Sequence, residues 1–148
     1  MDITKVVYPS IAHPIFRIGS GEESDVTKIK CLFARCTQGN KYSVLQSPQG
    51  INYQVPADKI SVITKILVST DEANGNFNFQ WGISAVHNSE TPPDGYLNLT
   101  EFFYMATVNI AYNFDVFIPF PAEKYPHIFA QAGSCVLTAF GIEVDNPA

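Results

Sequence analysis

Residues 77–85 read Phe-Asn-Phe-Gln-Trp-Gly-Ile-Ser-Ala, and apolar and polar side chains alternate along the whole stretch. A repeat of two residues is the period of a β-strand, whose successive side chains point to opposite faces of a sheet. The stretch therefore predicts a strand with one buried face and one polar face. Because the same period recurs along much of the chain, we expect an all-β fold.

Segments with this alternation predict about eight strands. They are Ile15–Ile18, Lys28–Cys36, Tyr42–Leu45, Ile60–Ser69, Phe77–Val86, Phe102–Tyr112, Asp115–Phe120 and Cys135–Val144. Glycine, proline and asparagine lie between them and supply the backbone angles of tight turns. About eight strands without a capped helix are typical of a two-sheet antiparallel sandwich of the jelly-roll type.

The length of 148 residues suits one domain, and no repeat or linker divides the chain. We therefore expect a single β-sandwich domain over residues 1–148. Two interpretations stay open for the first 14 residues. They are either an N-terminal arm that lies against a neighbouring molecule or an ordinary edge strand.

The charge pattern argues against nucleic acid as a partner. The formal net charge is −5, with scattered acids, whereas nucleic-acid binding needs a basic surface that releases counterions. With 46% hydrophobic and 16% charged residues, the composition is that of a globular protein and predicts no membrane span. Residues 1–9 lack the apolar run of a signal peptide, so we expect synthesis in the cytoplasm.

The histidines do not form a metal or catalytic motif. His13, His87 and His127 each stand alone beside turn or loop residues, without the paired spacing of zinc ligands. The chain also lacks the Gly-x-Ser-x-Gly elbow that presents a nucleophilic serine. We interpret all three histidines as solvated loop residues.

Cysteines and paired acids give no stronger sign of chemistry. The chain has three cysteines, Cys31, Cys36 and Cys135. An odd number without a Cys-x-x-Cys motif argues against disulfides and zinc, so we predict buried, inert thiols. Glu143 and Asp145 share one face of the last predicted strand, a pairing that glycosidases and calcium sites also use. Acids at strand ends are ordinarily solvated, so we predict no enzyme, no metal and no cofactor.

Loop aromatics and prolines are the candidate contact residues. Trp81 is in phase with the phenylalanines of its strand, which predicts a core position. Tyr96 follows Pro92 and Pro93 in one loop, and Tyr125 lies in a proline-rich segment that we also interpret as a loop. We predict that Pro92, Pro93, Tyr96 and Tyr125 contact a partner protein or a glycan.

The last third of the chain carries a family resemblance. Residues 115–125 read Asp-Val-Phe-Ile-Pro-Phe-Pro-Ala-Glu-Lys-Tyr, and residues 135–145 read Cys-Val-Leu-Thr-Ala-Phe-Gly-Ile-Glu-Val-Asp. A strand, a proline-rich turn ending in Lys-Tyr and a final strand with Phe-Gly-Ile-Glu-Val resemble the closing strands of small jelly-roll proteins on tailed-phage virions. The resemblance is confined to residues 115–145.

The resemblance implies a structural component of the virion, made in the host cytoplasm. Such a protein would be a capsid decoration or cement protein that stabilises the shell, or a tail-associated module. It would commonly be a homotrimer that packs against other virion proteins, such as the major capsid protein. Leu67 lies opposite Ile66, and Phe117 opposite Ile118, and this surplus of apolar side chains favours an oligomeric interface.

Two other functions are compatible with the sequence. Jelly rolls also host carbohydrate- or receptor-binding modules, in which exposed aromatic residues would meet the ligand. An enzyme, such as a glycosidase or a cupin-like metal enzyme, is the weakest of the three interpretations, because the required spacing of histidines or carboxylates is missing.

Overall fold

The structure is a computed structural model that describes residues 26–146, with the backbone alone for residues 26–29. The predicted strand Ile15–Ile18 and the first 14 residues lie outside the described residues. Strands and loops make up the whole described range. The strands are β1 (Val26–Cys36), β2 (Lys41–Val44), β3 (Lys59–Ser69), β4 (Gly75–Gly82), β5 (Leu97–Asn98), β6 (Phe103–Met105), β7 (Tyr112–Phe120), β8 (Tyr125–Ala132) and β9 (Cys135–Asp145).

These strands form two antiparallel sheets. One has the order β1-β9-β3-β7, and the other has the order β2-β8-β4-β5, with β6 also paired to β4. The first described strand thus pairs with the last, the second with the second-last and the third with the third-last. This is the order of a long hairpin folded over on itself, and the predicted jelly-roll sandwich is confirmed.

Strands β5 and β6 are two pieces of one interrupted edge strand. Asn98 pairs with Gln80 near one end of β4, and Met105 pairs with Gly75 at the other end. Between them the ladder is broken, and the Thr100 hydroxyl accepts the N–H of Phe79 at 3.0 Å. Counted as one strand, β5 and β6 bring the strands of residues 26–146 to eight, one more than the seven predicted strands that fall in this range.

Two predicted boundaries are wrong. The segment Phe102–Tyr112 is not one strand, because β6 ends at Met105 and a turn follows in which Asn109 has a φ of 58°. The predicted strand Phe77–Val86 ends at Gly82, where the chain enters a loop that runs to Tyr96.

Strand β8 was also missed by the sequence reading. It begins at Tyr125, which we expected in a loop. Pro126 is the second residue of β8, and a proline that lacks the N–H for a ladder ordinarily argues against a strand.

The core lies between the sheets and is rich in phenylalanine. Phe77 stacks on Phe103 with ring centroids 5.1 Å apart, and Phe79 meets the edge of Phe120 at 6.3 Å. Trp81 is half-buried and packs against this cluster, in keeping with its predicted phase. The ammonium group of Lys124 lies 5.0 Å from the centre of the Trp81 ring.

Candidate functional site

The outer face of the four-stranded sheet exposes large apolar side chains. Phe33 and Leu67 both lie opposite Thr138 in the ladders, which places them on one side of the sheet. Val136 is exposed farther along β9, and Phe117 on the edge strand β7 is 75% exposed. We name Phe33, Leu67, Phe117 and Val136 the apolar face. Contiguous apolar surface of this kind is typical of interaction sites, so this face is a candidate contact surface.

Charged side chains accompany the apolar face. Lys65 and Asp115 are ladder partners on β3 and β7, and their side chains form an ion pair of 3.5 Å. Arg35 lies opposite Val136 on β1. The face therefore combines apolar groups with charges of both signs.

The outer face of the five-stranded sheet has the opposite character. Asn76, Asn78 and Gln80 occupy alternate positions on β4, the positions that we expected to face solvent. All three are buried, with only 3% of Asn78 and 2% of Gln80 exposed. We name these three residues and the neighbouring Asn98 the amide face. The prediction of a strand with only one buried face is wrong.

The loop between β4 and β5 covers one end of the amide face. Pro93 packs so closely on Gly82 that a Cβ atom at Gly82 would lie 2.6 Å from the Cβ of Pro93. Farther along the sheet, the Val86 carbonyl accepts the N–H of Val44 at 2.8 Å. The loop thus closes over this end of β4, and the sequence of the strand gives no sign of the cover.

The amides donate hydrogen bonds, but their own oxygens lack donors. Asn98 is exposed, and its Oδ1 accepts from Gln80 Nε2 at 2.6 Å and from Asn78 Nδ2 at 3.1 Å. Asn76 Nδ2 donates to Gln131 Oε1 at 3.3 Å. Within residues 26–146, the side-chain oxygens of Asn76, Asn78 and Gln80 are buried and accept no hydrogen bond. A buried acceptor of this kind costs about 1–3 kcal/mol of stability.

Aromatic rings lie beside the amides. Tyr42 stacks on Phe129 with ring centroids 4.4 Å apart, and Phe129 lies opposite Asn78 in the ladder. Phe102 approaches Phe129 edge-on at 6.1 Å. Tyr104 lies opposite Asn76 on the edge strand, and its side chain is exposed. Amides and aromatic rings thus share one side of the five-stranded sheet.

His127 is buried at the covered end of this face, so its interpretation as a solvated loop residue is wrong. It lies opposite Gln80 in the β4–β8 ladder. Its Nε2 accepts the N–H of Val86 at 3.2 Å, which leaves Nδ1 to donate to the Tyr125 carbonyl at 2.8 Å. Burial lowers the pKa of His127 to about 4, so the ring is neutral at pH 7. Both ring nitrogens serve the fold.

The four predicted contact residues fall in different surroundings. Pro93 is buried and Pro92 half-buried, whereas Tyr96 is exposed with its ring 6.0 Å from that of Tyr42. Tyr125 pairs with Gly82, so the structure brings Tyr125 and Pro93 together around that glycine. Their contact with a partner stays a prediction.

Glu143 and Asp145 do not form an acid pair. Glu143 is buried and accepts a hydrogen bond of 2.6 Å from the Tyr53 hydroxyl, with Lys30 at 3.8 Å. Burial, together with this bond, raises the pKa of Tyr53. Asp145 pairs instead with Lys59 at the end of the sheet. Each carboxylate thus has a structural partner of its own.

The three cysteines are free thiols. Cys36 and Cys135 are buried and lie opposite each other in the β1–β9 ladder, whereas Cys31 is only half-buried. Burial raises the pKa of Cys36 to about 12 and raises the pKa of Cys135 as well. The prediction of buried thiols is confirmed for these two, which stay protonated at neutral pH.

A shallow cleft of 270 Å³ lies beyond one end of the apolar face. Its lining is mostly polar: Arg35, Thr37, Ser69, Thr70, Asp71, Asn109, Ser134 and Val136. Asp71 accepts the N–H of Ser134 at 3.0 Å, and this hydrogen bond lowers the pKa of the carboxyl group. The acid of the cleft therefore holds two loops together.

The part of the chain that the structure describes offers neither a metal-binding cluster nor a membrane-spanning helix. Residues 26–146 contain no group of three or more His, Cys, Asp or Glu side chains that could hold a metal ion. The same residues form no helix long and apolar enough to cross a bilayer.

No protein-family model, no curated protein and no solved structure matches this chain. Its function is therefore argued from its own surfaces. In the sequence, Leu67 and Phe117 indicate the apolar face, because they are apolar at positions where the alternation of their strands requires polar residues. The amide face had a weaker signal, since the polar positions of residues 76–80 hold uncharged amides where a solvated strand commonly carries charges.

Proposed function

We propose that this chain is a non-catalytic structural component of a phage particle, most simply a capsid decoration protein. It acts by packing against copies of itself and against other virion proteins through the apolar face. If the chain is attached to the tail instead, it acts by the same packing through the apolar face. The exposure of the apolar face is the observation that carries this proposal.

The free energy of such packing comes mainly from Phe117. Burial of apolar surface contributes about 25 cal/mol per Å², so covering one phenylalanine ring contributes about 2 kcal/mol. Leu67 and Val136 are also exposed and would add to this energy. Contacts of this kind repeat around a particle, where many weak interfaces act together.

The charges around the apolar face are compatible with binding to another copy of the same chain. Arg35 and Lys65 carry positive charge and Asp115 carries negative charge on the same surface. Neighbouring copies in a ring can therefore pair the cation of one with the acid of the next while their apolar groups meet. The homotrimer implied by the phage resemblance is the assembly that we expect.

The resemblance and the surface coincide in the chain. Residues 115–145 form most of β7 together with β8 and β9. This segment supplies both Phe117 and Val136 to the apolar face. The residues that resemble phage virion proteins thus include those that we assign to packing.

The test is incorporation into particles of the phage whose genome encodes the chain. Mass spectrometry of purified particles should find the wild-type chain in fixed proportion to the major capsid or tail protein. Phe117→Asp should be excluded from the particles, because it places a charge at the centre of the contact. Ile83→Asp is the matched control, since Ile83 is 56% exposed in the loop that follows β4 of the other sheet. Particles without the wild-type chain, or with Phe117→Asp at the wild-type level, would overturn the proposal.

A further inference from the structure

We propose that the amide face binds a neutral carbohydrate, which reaches it when residues 99–102, the break between β5 and β6, move aside. This site lies on the sheet opposite to the apolar face. It adds a ligand-binding function to the packing function proposed above. Carbohydrate recognition was one of the functions compatible with the sequence, but neither its location nor most of its residues were predicted.

The unpartnered oxygens define the chemistry of the ligand. Asn76, Asn78 and Gln80 each use their amide N–H groups within the protein and leave a buried oxygen without a donor. A ligand that satisfies them has to bring several hydrogen-bond donors and no negative charge. The hydroxyl groups of a sugar meet both requirements.

A metal ion is a poorer occupant for these oxygens. Calcium sites in proteins draw on carboxylates as well as amide and backbone oxygens. The hydrogen-bond partners of the three amides are Asn98, Thr100 and Gln131, all of them uncharged. The amide face therefore favours a neutral ligand with hydroxyl groups.

Aromatic rings supply the apolar part of the site. Ligand sites combine apolar and aromatic walls with a few well-placed polar groups, and sugar rings have apolar faces that pack on aromatic side chains. Tyr104 is 61% exposed next to Asn76, and Tyr96 is exposed above Tyr42. These two rings flank the amides and remain accessible in the closed structure.

The break in the edge strand, residues 99–102, is the part of the cover that can move. The edge strand pairs with β4 through the short elements β5 and β6, and the ladder between them is broken around Thr100. Short interrupted pairing at the edge of a sheet opens at lower free energy than the central strands do. Opening here uncovers Asn78 without disturbing the pairing of β4 with β8.

The burial of the amides is itself an argument for a function. Apolar residues of similar size at these positions would remove the unpartnered oxygens and stabilise the fold. Features that lower stability in this way are typical of functional sites. Gln80 offers the sharpest case, because methionine has nearly the same shape.

Binding is tested by titration calorimetry with neutral hexasaccharides built from glucose, mannose, xylose or N-acetylglucosamine. The wild-type chain should bind at least one of them. Tyr104→Ala and Asn98→Ala change exposed residues and should weaken that binding at least tenfold. Ile51→Ala changes a 66% exposed side chain that belongs to neither face, and as the control it should leave binding unchanged. If no hexasaccharide binds, or if both amide-face variants bind like the wild type, the inference is wrong.

Gln80→Met separates a binding role from a structural one. We expect the variant to melt about 2–4 °C higher than the wild type and to lose binding at least tenfold. Gln49→Met, in an exposed turn, should change neither property. A lower melting temperature for Gln80→Met would show that the amide serves the fold and would contradict the inference. The outcome does not bear on the apolar face, because Phe117 variants test that surface separately.

Discussion

The two outer faces of this sandwich reverse the usual distribution of side chains. In an ordinary sandwich the outward positions of both sheets are polar and solvated. Here the four-stranded sheet exposes Phe117 and Val136, while the five-stranded sheet buries Asn78 and Gln80. The difference teaches that polarity along a strand does not decide what is buried. On the five-stranded sheet, a loop packed over Gly82 covers polar side chains. On the four-stranded sheet, a partner molecule would cover the apolar ones.

If this contrast is right, substitutions on the two faces should have opposite effects. Changes at the covered end of the amide face should alter folding, because its residues are part of the interior. Changes on the apolar face should alter association and leave the fold of the single chain intact. Three experiments test this contrast, and their effects on stability decrease from one to the next.

The largest effect is the response of His127 to acid. Its pKa is about 4 in the folded chain, below the ordinary value of 6.5. Between these values His127 is protonated in the unfolded chain and neutral in the folded chain. The contribution of neutral His127 to the free energy of unfolding is therefore fully present above pH 6.5 and is lost as the pH falls. The total loss by pH 4 is roughly 3 kcal/mol.

Urea unfolding at pH 7.0 and pH 5.5 measures this loss above the range in which most carboxylates titrate. His127→Gln should flatten the dependence on pH, and His87→Gln, in an exposed part of the loop, should not. An unchanged slope in His127→Gln would show that the covered end of the amide face is open to water.

The next effect concerns the contact that holds the loop on the sheet. Gly82→Ala places a methyl group against the Pro93 ring, and we expect it to lower the free energy of unfolding by about 2 kcal/mol. A double-mutant cycle with Pro93→Gly should show strong coupling, since removing the ring relieves the clash. Additive effects of the two substitutions would mean that Pro93 does not seal this end of the face.

The smallest effect is expected at Phe117. Phe117→Ser should change the unfolding free energy of the dilute chain by less than about 0.5 kcal/mol, as exposed substitutions usually do. The comparison is Phe79→Ser in the core, which should cost about 3 kcal/mol or more. A large loss at Phe117 would place this ring in the interior of the single chain.

The sequence predicts some parts of this fold well. Strands β3 and β9 were predicted within a residue of their observed bounds because every second position is apolar or threonine over a long stretch. Strand β8 was missed because Pro126 and the buried His127 resemble loop residues when tertiary contacts are unknown. Residues 106–111 include residues that favour strands, yet Asn109 takes a left-handed conformation and turns the chain.

The candidate surfaces were predictable to different degrees. Leu67 and Phe117 signalled an exposed apolar surface because they are apolar at positions where the alternation requires polar residues. The amide face could not be predicted in this way, because it depends on Pro93 and Val86 folding back over the sheet. Local sequence determines which face a side chain points to, and only the tertiary fold determines whether that face is covered.

The most direct test of the account is the solution mass of the purified chain, measured by light scattering behind a sizing column over a range of concentrations. We predict a mass near three times the 16.3 kDa subunit for the wild type. Phe117→Asp should give a single subunit, and Ile83→Asp should match the wild type. A wild-type chain that stays monomeric at the highest concentration, or a Phe117→Asp variant that assembles as the wild type does, would contradict the assignment of the apolar face to assembly.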